Sequence, residues 1–575
     1  MQECPAMRIA GVAPHVPTQW AFTPSNHCAL PKVEWNGTNG RADCPVQTCP
    51  SAGYHHHEWN LMRTFSDHSR ALTLSALCVA QLAAPRLALA QTSRPTPPAP
   101  STPAAWQGAA RQDIEEAYEL SVKNHPGMHD PFNKYFPGRL NAARDTARAM
   151  LPRVTDAASY SAVIARFSSV IQDGHAGAFA LSSGSLPSRW PGFITVWRGN
   201  ALRVYATYDG GPSVGAEVVG CDGVPIRTLI RRNVFAFQGR EGEAGEWWVR
   251  ARSVFVDRRN PFIAPPRACQ FRANGKTTTI QLVWRDRDST TLALFSRAYN
   301  GETLPIGLTE PRAKLFWMAM PTFSPDTAEI TAYRNAFSQL TAKRNDLLAA
   351  DAIVLDLRGN QGGSSEWSRQ VAACLWGEDR VRRQMRAYFA NVEIWWRSSA
   401  ENAAYVVTAA RQMREQGRPD IATEWDSLGV ALTNAAARGD TFHVERNDTP
   451  VSSAVAADLP TDPPTLRTPV YVIVPGQCAS ACNDALDVFA RFPNTVLIGA
   501  PGSGDSPYME VRIREVASGL ASVIIPNKVW VHRPRGAGVV YTPAMELREL
   551  EWSTAAFQRM IEADVMRRRT SGRKK

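Results

Sequence analysis

No apolar run in the chain is long enough to cross a bilayer, which takes about 20 residues; the stretch Ala71 to Ala80 falls well short. That excludes an integral membrane span once a leader is removed. Zinc-type C-x-x-C and Cys/His spacings are missing, and His55-His-His57-Glu58 lacks the H-E-x-x-H order, so neither a metal nor another cofactor is expected. The loops also lack G-x-x-x-x-G-K-[ST] and G-x-G-x-x-G, the spacings that cradle phosphates, and no G-x-S-x-G elbow surrounds Ser480. Net charge is +11, and six of the last nine residues are basic, Arg567-Arg-Arg569 and Arg573-Lys-Lys575. Without a folded basic face these predict a solvated tail over 567–575, not nucleic-acid or anionic-membrane contact.

With 575 residues and 44% hydrophobic content the chain can bury a large core. Residues 1–61 carry no sustained periodicity and four scattered cysteines, and read as a poorly structured or over-extended start. From Met62 a basic segment, the apolar Ala71–Ala80 and the small-residue Ala88-Leu-Ala90 follow in the order of a secretory signal. The expectation is a true start at Met62, a signal peptide over 62–90, and an exported mature protein, periplasmic or extracellular, beginning near Gln91. Five cysteines follow Gln91, allowing at most two disulfides and one free thiol.

Residues 91–108 are rich in Pro, Ser and Thr and read as an extended linker. Helical spacing over Gln112–Leu151 and Ala157–Ile171 defines a helical cap, 109–186, which ends on the glycine-flanked His175. Over 187–290 the pattern turns β-rich, and Ser213 to Ile226 resembles the later half of a PDZ domain, a module that binds extended peptide ends. Alternating strands and helices over 291–566 argue an α/β core. An aromatic, helical insertion over 380–443 is expected to narrow or cover a cleft.

Two stretches of this core hold candidate chemistry. Ala352-Ile-Val-Leu-Asp-Leu-Arg-Gly-Asn-Gln-Gly-Gly-Ser364 is a buried strand running into a glycine-rich loop, where backbone N–H groups can approach a ligand. Tyr471-Val-Ile-Val-Pro-Gly-Gln-Cys-Ala-Ser-Ala-Cys-Asn-Asp484 is a strand, a turn of small residues and a helix start. Ser480 there is either an N-cap or a nucleophile beside the positive helix end. His175 is either a turn residue or a general base. Cys478 and Cys482 could clamp the turn if their Cα atoms come within bridging range.

Together, Asp173-Gly-His175, the Leu355 to Gly363 loop and Cys478-Ala-Ser-Ala-Cys482 resemble the C-terminal processing, or tail-specific, peptidase family, including its tricorn-core branch; the resemblance covers roughly Gln112 to Ala563. It implies a crotonase-like (ClpP/crotonase) α/β core with an N-terminal helical cap and a PDZ-like β-domain. It also implies serine-dependent cleavage of peptide or protein substrates, often near exposed C-termini. One branch uses a lysine base in a G-x-x-x-x-G-K-G loop; here Gly499 to Ser506 aligns with that loop and Asp505 stands at the lysine position. A carboxylate cannot replace that lysine, which selects the histidine-using branch.

The roles implied are Ser480 as nucleophile, His175 as base, and the N–H groups of Ala481 and of Gly362 or Gly363 as oxyanion donors. Asp505 is the candidate for orienting the imidazole, with Asp173 and Glu510 behind it, while Asp356 and Arg358 read as a supporting ion pair. Asn483 replaces the family's usual Glu and Pro543-Ala544 its usual Pro-Asp. The competing readings are a non-catalytic binder of an apolar ligand or peptide, as in the retinoid-binding proteins that resemble this fold, and an esterase-like enzyme. Oligomeric state does not follow from the sequence.

Overall fold

The computed structural model describes residues 99–572, apart from 209, 416–418 and 447–461. The leader, the signal segment and residues 91–98 of the linker therefore lie outside the described residues. Among the described residues no helix is long and apolar enough to cross a membrane.

The central sheet is built from continuous apolar runs. Leu315–Ala319, Ala352–Asp356 and Val470–Val474 are buried along their whole length, the pattern of strands covered on both faces. They lie side by side in parallel with Thr495–Gly499, Leu355 opposite Val472 and Ile473 opposite Ile498. Gly307–Arg312 adds an antiparallel edge, and Met545–Glu546 closes the other side. One hydrophobic cluster, with Trp367, Leu375 and Phe489, covers one face of this sheet; another, with Trp248, Trp552 and Phe557, joins the opposite face to the β-domain. Because neighbouring strands are parallel, the loops 357–365, 475–480 and 500–507 all leave the same edge, where open α/β sheets place their ligands.

The cap is three helices, Pro103–Asn124, Phe136–Met150 and Ala157–Ile171. The first begins inside the stretch expected to be extended linker. Thr102 accepts a hydrogen bond from the Ala105 N–H at 3.2 Å, and Pro103 at the first helical position starts the helix without a lost donor. The third helix stops where Gln172 turns left-handed, φ 59°, and the chain re-enters as the strand Gly177–Ala180. That strand pairs with Ala521–Val531, Gly177 opposite Ile524. The cap is thus stitched into a second, antiparallel sheet contributed by the C-terminal half.

The β-domain holds Phe193–Arg198, Ala201–Thr207, Glu217–Cys221, Ala268–Ala273 and Lys276–Gln281 in one antiparallel sheet. The helices Ile226–Ile230 and Ala244–Arg250 sit between its strands in the chain. Its Asp222-Gly223 turn and following strand give the PDZ-like arrangement, and Cys221 is bonded to Cys269.

Two expectations are corrected here. The insertion 380–443 does not cover the cleft: Glu393–Arg397 and Phe442–Arg446 extend the second sheet beyond Ala521–Val531, and the helices Ala400–Glu415 and Pro419–Arg438 form a small core of their own around Trp396 and Trp425. The run Ile-Trp-Trp has strand propensity that finds a free sheet edge. The basic end is not simply a tail either, since the last helix runs Thr554–Gly572, with Arg568 on Asp564 at 2.6 Å and Arg569 on Asp351.

Candidate active site

Ser480 follows the buried strand Val470–Val474 and stands at the N-cap of the helix Ala481–Phe489, with φ 54° and ψ −129°. A non-glycine residue held there costs of order 1–3 kcal/mol and persists only where the surroundings enforce it. Ser480 is thus the N-cap by position, but its hydroxyl makes no capping hydrogen bond, so the oxygen is left for other work. Three constraints hold the turn. Cys478 and Cys482 are disulfide-bonded across it with Cα atoms 5.2 Å apart. Gly362, at φ 110°, lies so close that a Cβ there would come 2.9 Å from Ala479 O and 3.0 Å from Ser480 Cβ. The third constraint is ionic.

Asp484 and Asp487, on the first turns of the helix Ala481–Phe489, meet Arg533 and Arg535 from the segment after Ala521–Val531. Arg535 lies 3.1 Å from both carboxylates, and Arg533 lies 2.9 Å from Asp487 and in contact with Asp484. Tyr541 OH and Tyr388 OH donate to Asp487 at 2.6 and 3.0 Å, and Ser365 Oγ to Asp484 at 2.7 Å. Burial raises the Asp484 carboxyl, but Arg533, Arg535 and the Ser365 hydroxyl outweigh it and hold the group below its ordinary value.

Asp505 belongs to this network and not to the histidine, which corrects the expected orienting role. Its Oδ2 lies 3.2 Å from Arg535 and 3.8 Å from Arg533. Two buried guanidiniums beside the loop claim the carboxylate more strongly than a neutral imidazole would.

His175 is oriented by a backbone carbonyl. Its Nδ1 is 2.8 Å from Tyr508 O; a carbonyl only accepts, so Nδ1 carries the proton and Nε2 of the neutral ring is left as the acceptor. Asp173 supports the same turn, accepting from the His175 N–H at 2.7 Å and from Ser506 Oγ at 2.8 Å. Ser506 Oγ accepts in turn from the Tyr508 N–H at 2.9 Å. The result is a closed circuit, Asp173, Ser506, Tyr508 and His175, joining cap to core. Tyr508 is clamped from outside: its hydroxyl donates to Asp130 at 2.8 Å and accepts from Asn133 Nδ2 at 3.1 Å, and its ring meets His125 and Phe136. Glu510 is corrected too, because its carboxylate faces Tyr405 and Lys528, both at 3.3 Å. It lies on the strand that carries Tyr508 but serves the insertion.

The glycine-rich loop divides its donors. Gly362 N–H is taken by Asn360 Oδ1 at 2.9 Å, and Asn360 Nδ2 donates to Met320 O at 2.9 Å. Gly362 is thereby removed from the expected oxyanion donors. The N–H groups of Gly363 and Ala481 have no acceptor among the described residues. Below the loop Asp356 and Arg358 form a buried ion pair, 2.6 Å at its shortest, with Trp317 Nε1 on Asp356 and Arg358 bonded to Trp552 O and Thr554 Oγ1. Cys374 is disulfide-bonded as well, so it is not the free thiol expected.

Ser480 and His175 line one cavity of about 540 Å³, walled by the cap (Phe179), by the β-domain (Phe237, Arg240, Val254) and by core residues Gln477 and Asp505. Arg240 pairs with Glu243 and Glu246, and Glu243 accepts from Gly504 N–H at 2.7 Å, tying the β-domain to the loop beside the histidine. No hydrogen bond joins His175 Nε2 to Ser480 Oγ. Tyr508, Ser506, Asn360, Arg533 and Arg535 were not found from the sequence. Tyr508 acts through its backbone and so leaves no side-chain signal, while the pair Arg533-x-Arg535 facing Asp484-x-x-Asp487 was readable as charge spacing.

A strained serine at a strand-to-helix junction and a histidine lining the same cavity sit on a crotonase-like core. The sequence model of Peptidase family S41 matches residues 318–523, within the core that carries Ser480, and the protein is a serine-type peptidase. No curated protein sequence matches the chain. Among solved structures, mature CPAF complexed with lactacystin is similar at 15% identity and a TM-score of 0.50, covering 77% of this chain and 94% of its own. A mutant of CPAF gives 13% identity and a TM-score of 0.52 over 77% and 93%. At these identities the likeness is one of fold.

Two outcomes are expected. Gly362→Ala should cut peptidase turnover by about 10²-fold, the scale of a displaced reacting group, with helix content by circular dichroism retained. The Asp484 carboxyl is depressed in the fold, so its contribution is complete above the unfolded value of about 3.9 and is lost as pH falls through the lower folded value. Denaturant midpoints of the wild type should therefore drop below about pH 4, and those of Asp484→Asn should be lower at neutral pH and flatter on acidification.

Proposed function

We propose that the chain is an exported peptidase in which Ser480 and His175 act as nucleophile and base. The observation that carries this is the His175 Nδ1 bond to Tyr508 O, which leaves Nε2 free to accept a proton on the side of a cavity shared with Ser480. Nε2 takes the hydroxyl proton as Ser480 Oγ bonds to the scissile carbonyl carbon. The charge that develops on the carbonyl oxygen is held by the Ala481 and Gly363 N–H groups, fixed donors at a helix start and a glycine loop. The imidazolium then returns its proton to the leaving nitrogen, the C–N bond breaks, and water releases the acyl group by the same steps in reverse order.

The missing hydrogen bond between Nε2 and Oγ is compatible with this, since such contacts tighten when substrate closes the site. The PDZ-like domain and the cap wall the cleft, which suits an extended segment such as a protein's C-terminal end. Asp505 sits at the lysine position of the other branch with its charge matched by Arg535, an arrangement that supports the histidine mechanism and not a lysine one. The segment 62–90 supports export.

A fluorophosphonate probe should label the wild type, fail to label Ser480→Ala, and label His175→Ala at least about 10²-fold more slowly, the usual weight of a general base. Wild-type-like labelling of either variant rejects the site. N-terminal sequencing of the protein recovered outside the cytoplasm is expected to start near Gln91; retention inside the cell with residues 62–90 intact rejects export.

A further inference from the structure

The strand Phe442–Arg446 stands last in the second sheet. Among the described residues it pairs only with Glu393–Arg397, so one side of its backbone lies at a sheet edge. Two hydrogen bonds fix which groups point outward. The Ser398 N–H donates to Thr441 O at 3.0 Å, continuing the register that sets Trp395 opposite Val444. Further into the sheet, the Trp530 N–H donates to Pro507 O at 2.9 Å, so Val529 and Val531 turn their backbone groups toward Trp395 and Glu393. Ladder bonds alternate between the two sides of a strand from one residue to the next. Both bonds give the same result: His443 and Glu445 bond inward, and the N–H and C=O groups of Phe442, Val444 and Arg446 point away from the sheet.

Natural sheets blunt such an edge with proline, lysine or a bulge. The edge strand of the central sheet, Gly307–Arg312, carries Pro311 and a shift of register. Phe442–Arg446, Phe-His-Val-Glu-Arg, has none of these and holds an unbroken register. It is also its own complement. Turned antiparallel on a second copy about Val444, it sets Val444 opposite Val444, Phe442 opposite Arg446 and His443 opposite Glu445. Its outward backbone groups then meet in pairs that exchange both hydrogen bonds, and arginine meets an aromatic ring while histidine meets a carboxylate. The two neighbouring registers that also bring outward groups together fail on charge, one setting His443 against His443 and the other Glu445 against Glu445. The charged ends are held in place beforehand, Arg446 by Glu393 at 3.0 Å and Glu445 by Trp396 Nε1 at 3.1 Å. We propose that Phe442–Arg446 pairs antiparallel with the same strand of a second copy of this chain, with Val444 on the two-fold axis. The second sheets of the two copies then run on as one. A contact of one short strand from each copy makes a weak, concentration-dependent dimer, and it does not depend on the peptidase reading.

Sedimentation velocity of the full chain should show a monomer–dimer equilibrium that moves with concentration. Val444→Pro removes an outward donor and leaves the ladder to Glu393–Arg397 intact; it should weaken dimerisation at least about tenfold, the scale of the hydrogen bonds lost at the axis. Cysteine variants read the register. Under mild oxidation Val444→Cys should form a disulfide-linked dimer by itself, because residues opposite each other in such a pair have Cα atoms about 5.5 Å apart, within bridging range. His443→Cys and Glu445→Cys should link when mixed with one another and not when alone, with the wild type as background for the native cysteines. A circular dichroism spectrum like that of the wild type checks the fold of each variant. Self-linking of His443→Cys or of Glu445→Cys, or a dimer that Val444→Pro leaves unchanged, overturns the pairing. A chain that is monomeric at every concentration also overturns it, and leaves the edge to residues 447–461 or to a strand of another protein.

Discussion

The structure depends on keeping one residue, Ser480, in a backbone conformation that it would not choose. At φ 54° and ψ −129° the turn pushes its side chain away from the helix it begins, and relaxation would turn the hydroxyl into an ordinary cap. The constraints around it act from different directions. A disulfide closes the turn from within, Gly362 blocks movement toward the oxyanion loop, and two arginines pull the first turns of the helix from the far side. Two carboxylates, Asp487 and Asp505, and two guanidiniums are buried together beside the part-exposed Asp484, an arrangement that is tolerable only because each carboxylate is matched and the tyrosine hydroxyls satisfy what remains.

The proposed base comes from another layer. His175 is carried by the cap and is fixed by a carbonyl of the C-terminal half, so the two halves of the proposed pair meet only when cap and core dock. The hydrogen-bond circuit through Asp173, Ser506 and Tyr508 makes that docking specific. Each of its hydrogen bonds has a fixed direction, and the Tyr508 side chain is clamped by Asp130. This explains how a short loop with an aspartate at the lysine position of the other branch can still serve a serine. Its carboxylate is drawn off by Arg535, and its backbone continues into the strand that orients the histidine.

Much of the architecture was legible because the strongest signals are local. The runs at Ala352 and Tyr471 read as strands, and both lie in the central sheet. The glycines at 362 and 363 and the small residues around Ser480 marked close backbone approach, which they make. The errors came where a partner distant in sequence decided the outcome. Asp505 was assigned to the histidine because alignment brought it near, but charge complementarity with Arg533 and Arg535 was stronger. The insertion read as a lid because its aromatics needed cover, whereas a free edge of the second sheet supplied it. The first residues of the cap helix were hidden by proline, which stops a helix in its interior but starts one at its first turn.

By itself the sequence determined the strands of the core, the order of the pieces and the residue types available for chemistry, since hydrophobic period and turn composition act over a few residues. Only the tertiary structure decided which groups face each other. A local bond to Asn360 occupies the Gly362 N–H, but the tautomer of His175 follows from a hydrogen bond between residues 333 positions apart. Such bonds are set by the parallel register of the sheet and the docking of the cap, and no local pattern encodes them.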